Sequence, residues 1–510
     1  MFIFNYLYSI ISTMKYISSR NKNEVASISK AITKGLASDG GLYTPSHFEK
    51  VDLEKIKGYS FNELAKYLFE FYFAGPTMGD ENFTKEEIAS CVDKAYNTKN
   101  FETSEICPTV NFQNSSFHEI QLYKGPTCAF KDIALTILPH FMTTSYKKQK
   151  LNKPIYILVA TSGDTGKAAL SGFADVENTF ISVFYPTEGV SKIQKLQMQT
   201  SNGANVDVIG IKGNFDDCQR AVKYAMAHGK DSAVSLSSAN SINIGRLLPQ
   251  MTYYFSSYFN LVNNNEIKLY DKINFVVPTG NFGDILAGYF AKLMGLPVDK
   301  LICASNKNNV LTNFLRTGKY NAKRELFKTT SPSMDILVSS NLERLLFIDS
   351  GYDDALVKSL MENLASAGSF EIPPSLLSKI NETFIGYFAD EDECASTIKA
   401  TWEKDKKLID THTAIAVSCF NKFVKETGAK NKTIVLSTAS AYKFASDVYK
   451  DITGVSDADA FDAIKKLNEL SNEDVPRGIS ALGTLPIRFT DIIDASSIDN
   501  YINNKISSFN

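Results

Sequence analysis

A lysine inside an apolar stretch is the first residue whose setting suggests chemistry. Lys131 stands between Phe130 and Asp132, at the apolar helix start of "LYKGPTCAFKDIALTILP". An apolar setting lowers the pKa of an amine, which allows a lysine to act as a Schiff-base nucleophile and as a proton carrier. Taken alone, the residue is better explained as a surface lysine whose stem packs on apolar neighbours. Lys131 therefore indicates an active site only if other residues of the chain supply the remaining parts of that site.

The stretch "VATSGDTGKAAL" adds a turn that favours an anion, because it follows the apolar run "IYILVA". A nucleotide-binding Walker A loop is excluded, since Thr161 stands where its first glycine belongs and Ala168 where its hydroxyl residue belongs. The backbone amides of Ser162 to Gly166 would still point out of a helix N-terminus toward an anion. The alternative is a strand-to-helix turn that is capped by its own side chains. Lys167, within the helix, is expected to be solvated.

A second turn of the same kind lies in "VVPTGNFGDILAG", where Gly280 and Gly283 follow an apolar strand and open a helix. The dinucleotide fingerprint GxGxxG is absent. Packing alone could explain Phe282, and a first-turn acid that favours the helix dipole could explain Asp284. Together with Lys131, however, the two turns supply an amine for an imine and two anion cradles. These are the parts of a pyridoxal-phosphate enzyme.

Composition and charge narrow the function classes. The 54 basic and 56 acidic residues nearly balance, which gives no electrostatic reason to bind nucleic acid or an anionic membrane. The seven cysteines form no CxxC pair, a pattern that favours reduced thiols and a cytoplasmic location. The five histidines are scattered and form no HExxH motif, so no metal site is expected.

The order of elements predicts an α/β fold in which parallel sheets are flanked by helices. Apolar strands alternate with helical patterns in "PIYILVATSGDTGKAALSGFA", "TFISVFYPTEGVSKIQKLQMQ", "ANVDVIGIKGNFDDCQRAVKYAM" and "KINFVVPTGNFGDILAGYFAKLMG". The predicted units are a dispensable extension at 1–13, a mainly helical N-terminal domain at 14–105, an α/β core at 106–350, a helical insertion at 351–430 and a C-terminal return to the core at 431–510. The core includes a mobile subdomain at about 160–245.

Several longer stretches resemble the threonine synthase family, specifically its longer members with an extra N-terminal domain. They are "AITKGLASDGGLYTP", "KGPTCAFKD", "TSGDTGKAAL", "GIKGNFDD", "SSANSINIGRLLPQ", "VVPTGNFGDILAGYFAK", "SPSMDILVSSNLERL" and "STASAYKF", in family order from residue 15 to about 450. The resemblance implies a fold-type II pyridoxal-phosphate enzyme, similar to the tryptophan synthase β-subunit. It implies conversion of O-phospho-L-homoserine and water to L-threonine and phosphate, and it leaves open whether the protein is a monomer or a dimer.

The resemblance also assigns residues. It implies that Lys131 forms the Schiff base with the cofactor and that Thr438 lies beside the pyridine nitrogen. The turn that would hold the cofactor phosphate carries Gly280, Asn281, Phe282 and Asp284. The residues implied for the substrate are Ser162, Asp164, Thr165 and Gly166 at its carboxylate, and Asn240, Ser241, Asn243 and Arg246 at its phosphate. A guanidinium matches phosphate geometry, although a helix-surface ion pair would also explain Arg246.

The chain departs from commoner family patterns at two places. Lys124 stands where many members have histidine before Gly-Pro-Thr, and Ser440-Ala441 stands where many have His-Pro. His412, in "DTHTA", is interpreted as a structural histidine. Two alternatives remain at this point. One is another fold-type II enzyme, such as a serine/threonine dehydratase or a cysteine synthase. The other is a catalytically inactive relative that only binds a ligand.

Overall fold

The computed structural model describes residues 14–74, 81–112, 114–188, 190–213, 215–228, 233–456 and 459–508. Residues 1–13, predicted to be dispensable, lie outside this part. Its strands are β1 (Tyr16–Ser18), β2 (Asn21–Ala26), β3 (Tyr43–Pro45), β4 (Thr109–Asn111), β5 (His118–Gln121), β6 (Ile155–Ala160), β7 (Thr179–Pro186), β8 (Val206–Lys212), β9 (Ser235–Ser238), β10 (Ile273–Pro278), β11 (Val298–Ser305), β12 (Lys319–Asn321), β13 (Ser369–Glu371), β14 (Phe384–Phe388), β15 (Thr433–Ser437) and β16 (Ile492–Asp494).

The helices of the described residues run throughout the chain between these strands. They are α1 (Ile28–Lys34), α2 (Leu53–Ile56), α3 (Phe61–Phe73), α4 (Lys85–Ala95), α5 (Lys131–Leu135), α6 (Leu138–Lys148), α7 (Asp164–Phe173), α8 (Lys192–Gln199), α9 (Phe215–His228), α10 (Ile244–Leu247), α11 (Met251–Asn263), α12 (Gly283–Leu293), α13 (Val310–Thr317), α14 (Leu342–Asp349), α15 (Asp354–Ala367), α16 (Pro374–Asn381), α17 (Glu391–Asp405), α18 (Thr411–Thr427), α19 (Ala445–Thr453), α20 (Ala460–Ser471), α21 (Arg477–Ser480) and α22 (Ile498–Ser507). None of these helices is both long and apolar enough to cross a bilayer.

Two parallel sheets form the centre of the molecule. The larger sheet has the strand order β14-β11-β10-β15-β5-β4, and only its edge pair β4–β5 is antiparallel. The smaller sheet has the order β16-β8-β7-β6-β9, with all neighbours parallel. Strands β6, β10 and β15 are buried at every position, as expected for strands that helices cover on both faces. The predicted α/β fold with helix-flanked parallel sheets is confirmed.

The flanking regions contain strands as well as helices. The N-terminal region at 14–105 carries the small antiparallel sheet β2-β1-β3 beside α1 to α4. The stretch 351–430, predicted to be helical, contributes β14 to the larger sheet. Its sequence "FIGYF" has strand-forming residues, and Gly386 allows a close approach, because a Cβ there would lie 2.9 Å from the Cα atom of Thr312. The C-terminal region returns to both sheets, through β15 and β16.

Helices α5 and α7 pack closely, and this contact brings Lys131 and Asp164 together, since each helix begins at one of these residues. The approach depends on Gly172, where a Cβ would lie 2.0 Å from the carbonyl oxygen of Leu135. We expect Gly172→Ala to lower the free energy of unfolding by about 1–3 kcal/mol, because backbone has to move. Urea denaturation measures the change. Gly58→Ala is the control, since a Cβ there meets nothing within 4 Å; equal stability of both variants would contradict the close packing.

Candidate active site

Lys131 is buried, with 7% of its surface exposed, so it is not a surface lysine. Its Nζ atom donates to Asp164 Oδ2 at 3.0 Å and to Ser333 Oγ at 3.1 Å. The same atom lies 4.6 Å from the centre of the Phe130 ring. Burial lowers the pKa of Lys131, and Asp164 offsets part of that effect. A buried amine of this kind fits the nucleophile and proton carrier that the sequence predicts.

Asp164 is the buried counter-ion of Lys131. Its Oδ2 atom also accepts from Ser333 Oγ at 3.2 Å, while its Oδ1 atom accepts from Lys443 Nζ at 2.6 Å and from Gln194 Nε2 at 2.9 Å. Burial by itself would raise the pKa of Asp164, but Lys131 and Lys443 hold it well below its usual range. The residue that the sequence assigned to the substrate carboxylate therefore contacts the amine directly, and it is not among the residues that line the pocket.

The turn between β6 and α7 is organised by Thr161. Its Oγ1 atom accepts from the backbone amides of Gly163 at 2.9 Å and of Gly166 at 2.8 Å. Ser162 and Thr165 line the pocket, whereas Gly166 is not among the lining residues. A Cβ at Gly166 would lie 2.5 Å from the methyl carbon of Thr161. The first-turn amides of a helix have no intrahelical acceptor, so the Thr165 amide remains suited to bind an anion.

Lys167 is not the solvated side chain that the sequence predicts. It is half-buried, and its Nζ atom donates to Ser201 Oγ at 3.1 Å. Burial lowers its pKa to about 8, and the nearby Asp132 carboxylate offsets part of that effect. The prediction failed because it placed the residue on the outer face of α7, whereas that part of α7 faces α8 and the loop that follows it.

The turn after β10 supplies one wall of the pocket, to which Gly280, Asn281, Phe282 and Asp284 all belong. Gly280 is required by packing, because a Cβ there would lie 2.4 Å from the carbonyl oxygen of Ser333. Phe282 adopts a left-handed backbone conformation with φ of 60° at the start of α12. Such strain in a non-glycine residue is typical of functional turns. The N-terminus of α12 therefore opens directly into the pocket.

Asp284 is a buried acid at the base of this turn. Tyr253 and Tyr254 both donate through their hydroxyl groups to its Oδ1 atom, while its Oδ2 atom has no partner among the described residues. Burial raises the pKa of Asp284 to about 6, although the two tyrosines oppose the shift. A protonated carboxyl at this position can donate to an anion, whereas an ionised one would repel it.

The raised pKa of Asp284 predicts a pH-dependent stability. The folded chain keeps a proton up to a pH of about 6, whereas the unfolded carboxyl releases it near 4, so rising pH across this interval destabilises the wild type. Asparagine does not titrate. We expect Asp284→Asn to gain stability relative to the wild type as pH rises from about 4.5 to 7.5, by up to about 3 kcal/mol. Urea denaturation midpoints, measured across this pH range, give the stability profile of each protein. Asp462→Asn, at an exposed aspartate, is the control. Parallel pH profiles for Asp284→Asn and the wild type would contradict the raised pKa of Asp284.

Arg246 faces the pocket without an acidic partner among the described residues. Its Nη1 atom donates to the carbonyl oxygen of Ala239 at 3.1 Å, and its Nε atom has no partner there. The residue is 3% exposed, and burial lowers its pKa to about 10. The surface ion pair considered from the sequence is therefore wrong. A buried guanidinium with an open donor is suited to bind an anionic ligand.

The other residues of "SANSINIGR" divide into two groups. Asn240 and Ser241 line the pocket. Asn243 does not: its side chain caps α10 at the amide of Gly245 and donates to the carbonyl oxygen of Ile32 at 2.9 Å. Asn243 therefore joins the loop to the N-terminal region and does not reach a ligand in this pocket. The prediction that it contacts substrate is corrected on this ground.

Thr438 also lines the pocket, directly after β15, which is the parallel neighbour of β10, and its carbonyl oxygen accepts from the Phe130 amide at 2.8 Å. His412 also lines the pocket. Its Nδ1 atom lies 2.6 Å from Asp410 Oδ2, and its Nε2 atom accepts from the Ser333 amide at 3.3 Å. The histidine is thus held by structural bonds, yet its edge reaches the site. Lys124 is not among the lining residues.

The sequence missed Ser333, Gln194, Lys443 and Asn341. Asn341 donates to the carbonyl oxygens of Ser241 at 3.2 Å and of Asn281 at 3.0 Å, and so joins two walls of the pocket. These residues lie far from Lys131 in the chain, so spacing alone carried no signal. For Lys443 a signal was present, because it stands between Tyr442 and Phe444 in "STASAYKF", an apolar setting similar to that of Lys131.

The residues of the pocket fit pyridoxal phosphate. The buried Lys131 amine can form an imine, and the N-terminus of α12 can accept a phosphate. The unpartnered Arg246 Nε and Asp284 Oδ2 atoms are buried polar groups that a polar ligand would satisfy. Within the described residues, no cluster of histidine, cysteine and acidic side chains could hold a metal ion.

Comparisons with known proteins agree with this geometry. The family described as "Pyridoxal-phosphate dependent enzyme" matches residues 122–440, and the one described as "Threonine synthase N terminus" matches residues 15–96. Threonine synthase of Saccharomyces cerevisiae is 33% identical over 96% of this chain and 98% of its own length. The crystal structure of PLP-bound threonine synthase from Brucella melitensis has a TM-score of 0.83 at 35% identity, covering 98% of this chain and 99% of that one.

One relative has a different description. Human "Threonine synthase-like 1" is 35% identical over 91% of this chain, which covers 63% of the human protein. The fold and the pocket define a fold-type II enzyme that depends on pyridoxal phosphate and acts as a lyase. Within that class, the chain belongs to the threonine synthase family.

Proposed function

We propose that this protein converts O-phospho-L-homoserine and water to L-threonine and phosphate, by γ-elimination followed by β-addition, as the last step of threonine biosynthesis. The observation that carries the proposal is a buried lysine amine near two helix N-termini, together with a buried guanidinium that has no acidic partner among the described residues. The names of the full-length relatives support the substrate. A cytoplasmic location is part of the proposal, supported by seven cysteines that are all free and buried.

Lys131 is the residue that we assign to the cofactor and to proton transfer. Pyridoxal phosphate, when bound, supplies a carbonyl for an imine and an electron sink for charge that forms at the α-carbon. With substrate bound, the Lys131 amine would be placed to accept the α-proton and later to return protons. Its lowered pKa favours the neutral form that this role requires. Thr438, a neutral hydroxyl residue, would face the pyridine nitrogen.

Two ends of the pocket separate the two negative groups of the substrate. Ser162 and Thr165, at the N-terminus of α7, are assigned to the carboxylate. Arg246, with Asn240 and Ser241, is assigned to the substrate phosphate, because a guanidinium binds phosphate in bidentate geometry. The turn of Gly280 to Asp284, which also lines the pocket, would hold the cofactor phosphate. This division uses both helix N-termini and the one unpaired cation among the described lining residues.

The location of the pocket between two sheets explains how water is controlled. The turns after β6 and β10 belong to different sheets and both line the pocket, so movement of the unit at 160–245 would close the site over the ligand. Closure is required because water must reach the β-carbon only after phosphate leaves. If the unsaturated amino acid that remains after phosphate loss escaped into water before β-addition, it would hydrolyse to a keto acid and ammonia in place of threonine.

The experiment compares O-phospho-L-homoserine with O-phospho-L-serine as substrates of the purified protein with pyridoxal phosphate. We expect phosphate and L-threonine in equal amounts from the first compound and little turnover of the second. Equal turnover of both, or activity only on phosphoserine, would contradict the proposal in favour of another fold-type II enzyme. Phosphate with a keto acid and ammonia in place of threonine would contradict the β-addition step. Cofactor binding without turnover would indicate an inactive ligand-binding relative.

A further inference from the structure

A second buried lysine lies behind the site, on the side of Asp164 that faces away from the pocket. Lys443 is 1% exposed and is not among the lining residues. Its Nζ atom lies 2.6 Å from Asp164 Oδ1 and donates to the carbonyl oxygen of Thr127 at 3.0 Å. The described chain thus places one carboxylate between two buried lysines, Lys131 in front and Lys443 behind.

The four contacts of Asp164 leave it no freedom to turn. Each oxygen atom receives two donors: Lys443 and Gln194 at Oδ1, Lys131 and Ser333 at Oδ2. If the carboxylate lost the donor at Oδ1, it could rotate or move toward Lys131 and pair with it alone. Lys443 therefore determines both where Asp164 lies and how much of its charge is available to Lys131.

One negative charge cannot compensate two positive charges in a buried site, which favours the loss of one proton from the pair of lysines. Lys443 has the shorter bond to Asp164 and a second acceptor in the Thr127 carbonyl. Lys131 shares its carboxylate oxygen with Ser333 and also faces the positive charge of Arg246. Lys131 is therefore the lysine that gives up its proton.

We propose that Lys443 is a positioning residue for Lys131: through its bond to Asp164, it keeps the Lys131 amine neutral and directed at the pocket. The proposal rests on the assignment of Lys131 as the Schiff-base lysine. It gives Asp164 a role that differs from binding the substrate carboxylate. The remaining charged or titratable groups around this array are Arg246, Asp284 and His412 on the pocket side, and Asp132, Cys128 and Lys167 on the side of Lys443.

These surrounding groups do not take over the role of Lys443. Arg246 and Asp284 carry opposite charges when ionised, and His412 is bonded to Asp410 and to the Ser333 amide. Asp132 is bonded to the Thr127 hydroxyl and amide. Lys167 donates to Ser201, and its ammonium is not one of the four donors to the Asp164 carboxylate within the described chain. Lys167→Met is therefore a matched control, since it removes a neighbouring lysine charge without touching the carboxylate.

The test measures the protonation of Lys131 without measuring turnover. The full-length chain is freed of cofactor, exposed briefly to pyridoxal phosphate at a series of pH values and reduced with borohydride. Peptide mass spectrometry then gives the fraction of Lys131 that carries the cofactor. The pH at half-maximal labelling is compared among the wild type, Lys443→Met, Lys443→Arg and Lys167→Met. Circular dichroism establishes that each variant is folded.

We expect the midpoint for Lys131 to rise by at least about one pH unit in Lys443→Met, because Asp164 then pairs with Lys131 alone. Lys443→Arg should restore most of the wild-type midpoint, and Lys167→Met should leave it unchanged. If Lys443→Met does not fold, Lys443→Gln replaces it, since the amide can still bond Asp164 and the Thr127 carbonyl. A rise in the same direction is expected there, because the amide is neutral and leaves Lys131 as the only cation bonded to Asp164.

An unchanged midpoint in a folded variant without the Lys443 charge would overturn the proposal. An equal rise in Lys167→Met would also overturn it. The rise would then follow from the loss of any nearby positive charge and not from the loss of the contact between Lys443 and Asp164. Failure of the Schiff-base assignment is seen separately: in that case the wild type carries no label on Lys131 at any pH.

Discussion

Lys131→Ala should bind pyridoxal phosphate without the visible absorbance of a lysine imine and should lose at least about 10³-fold in turnover. The variant loses both the imine nitrogen and the proton carrier, and proton transfer alone contributes about 10²- to 10⁴-fold. It should remain folded, because the ion pair between Asp164 and Lys443 survives the change. Absorbance spectra and phosphate release measure the two losses, and thermal unfolding measures the stability.

Lys131→Arg is the matched variant for charge. It keeps a cation beside Asp164 but offers no amine that forms an imine, so it should be as inactive as Lys131→Ala. If the visible band survived in either variant, another amine would hold the cofactor. Lys443, at the other oxygen of Asp164, and the half-buried Lys167 would then be the first to examine.

Arg246→Met should weaken substrate use and leave the free protein as stable as the wild type or more stable. The guanidinium is buried, and no described residue gives it an acidic partner, so its burial costs free energy that a methionine of similar length avoids. A hydrogen bond to a charged group contributes about 1.5–3 kcal/mol, so kcat/KM should fall by roughly 10- to 100-fold. Steady-state kinetics measure the fall in kcat/KM, and urea denaturation measures the equal or greater stability.

Whether Arg246→Met loses affinity for the substrate or for the cofactor identifies which phosphate Arg246 binds. If it holds the substrate phosphate, the variant should raise KM for the phosphorylated substrate while the affinity for pyridoxal phosphate stays near the wild-type value. The KM of Arg246→Lys should lie between those of the wild type and Arg246→Met, because an ammonium keeps the charge but lacks the bidentate geometry of a guanidinium. An unchanged KM with a weakened cofactor affinity would move the residue from the substrate phosphate to the cofactor phosphate.

The sequence predicted the parts of the site that depend on local pattern. The turns at Ser162–Gly166 and Gly280–Asp284 each follow from a strand, a turn and a helix in one stretch of chain, and Lys131 follows from its place at an apolar helix start. Their meeting in a single pocket was inferred from chemistry, and the structure brings most of the assigned residues there. The α/β fold could be predicted for the same reason, since strands buried on both faces have continuous apolar sequences.

What the sequence could not predict depends on contacts between distant residues. The sequence around Asp164 would be the same whether its side chain faced a ligand or a buried lysine. The packing of α7 against the segment around Lys443 determines that it faces the lysines. Asn243 has the polar character of a ligand-binding residue but bonds the carbonyl oxygen of Ile32, which lies 211 positions earlier. Lys167 has no sequence feature that distinguishes a half-buried lysine from a solvated one.

The most direct test of the proposed reaction follows an oxygen isotope. The protein is incubated with O-phospho-L-homoserine in ¹⁸O-labelled water, and both products are analysed by mass spectrometry. A carbon–oxygen lyase breaks the bond between the γ-carbon and the bridging oxygen, so phosphate should leave unlabelled and the threonine hydroxyl should carry ¹⁸O. Label in the phosphate, with homoserine as the other product, would show that water attacks phosphorus and would contradict the reaction proposed for this site.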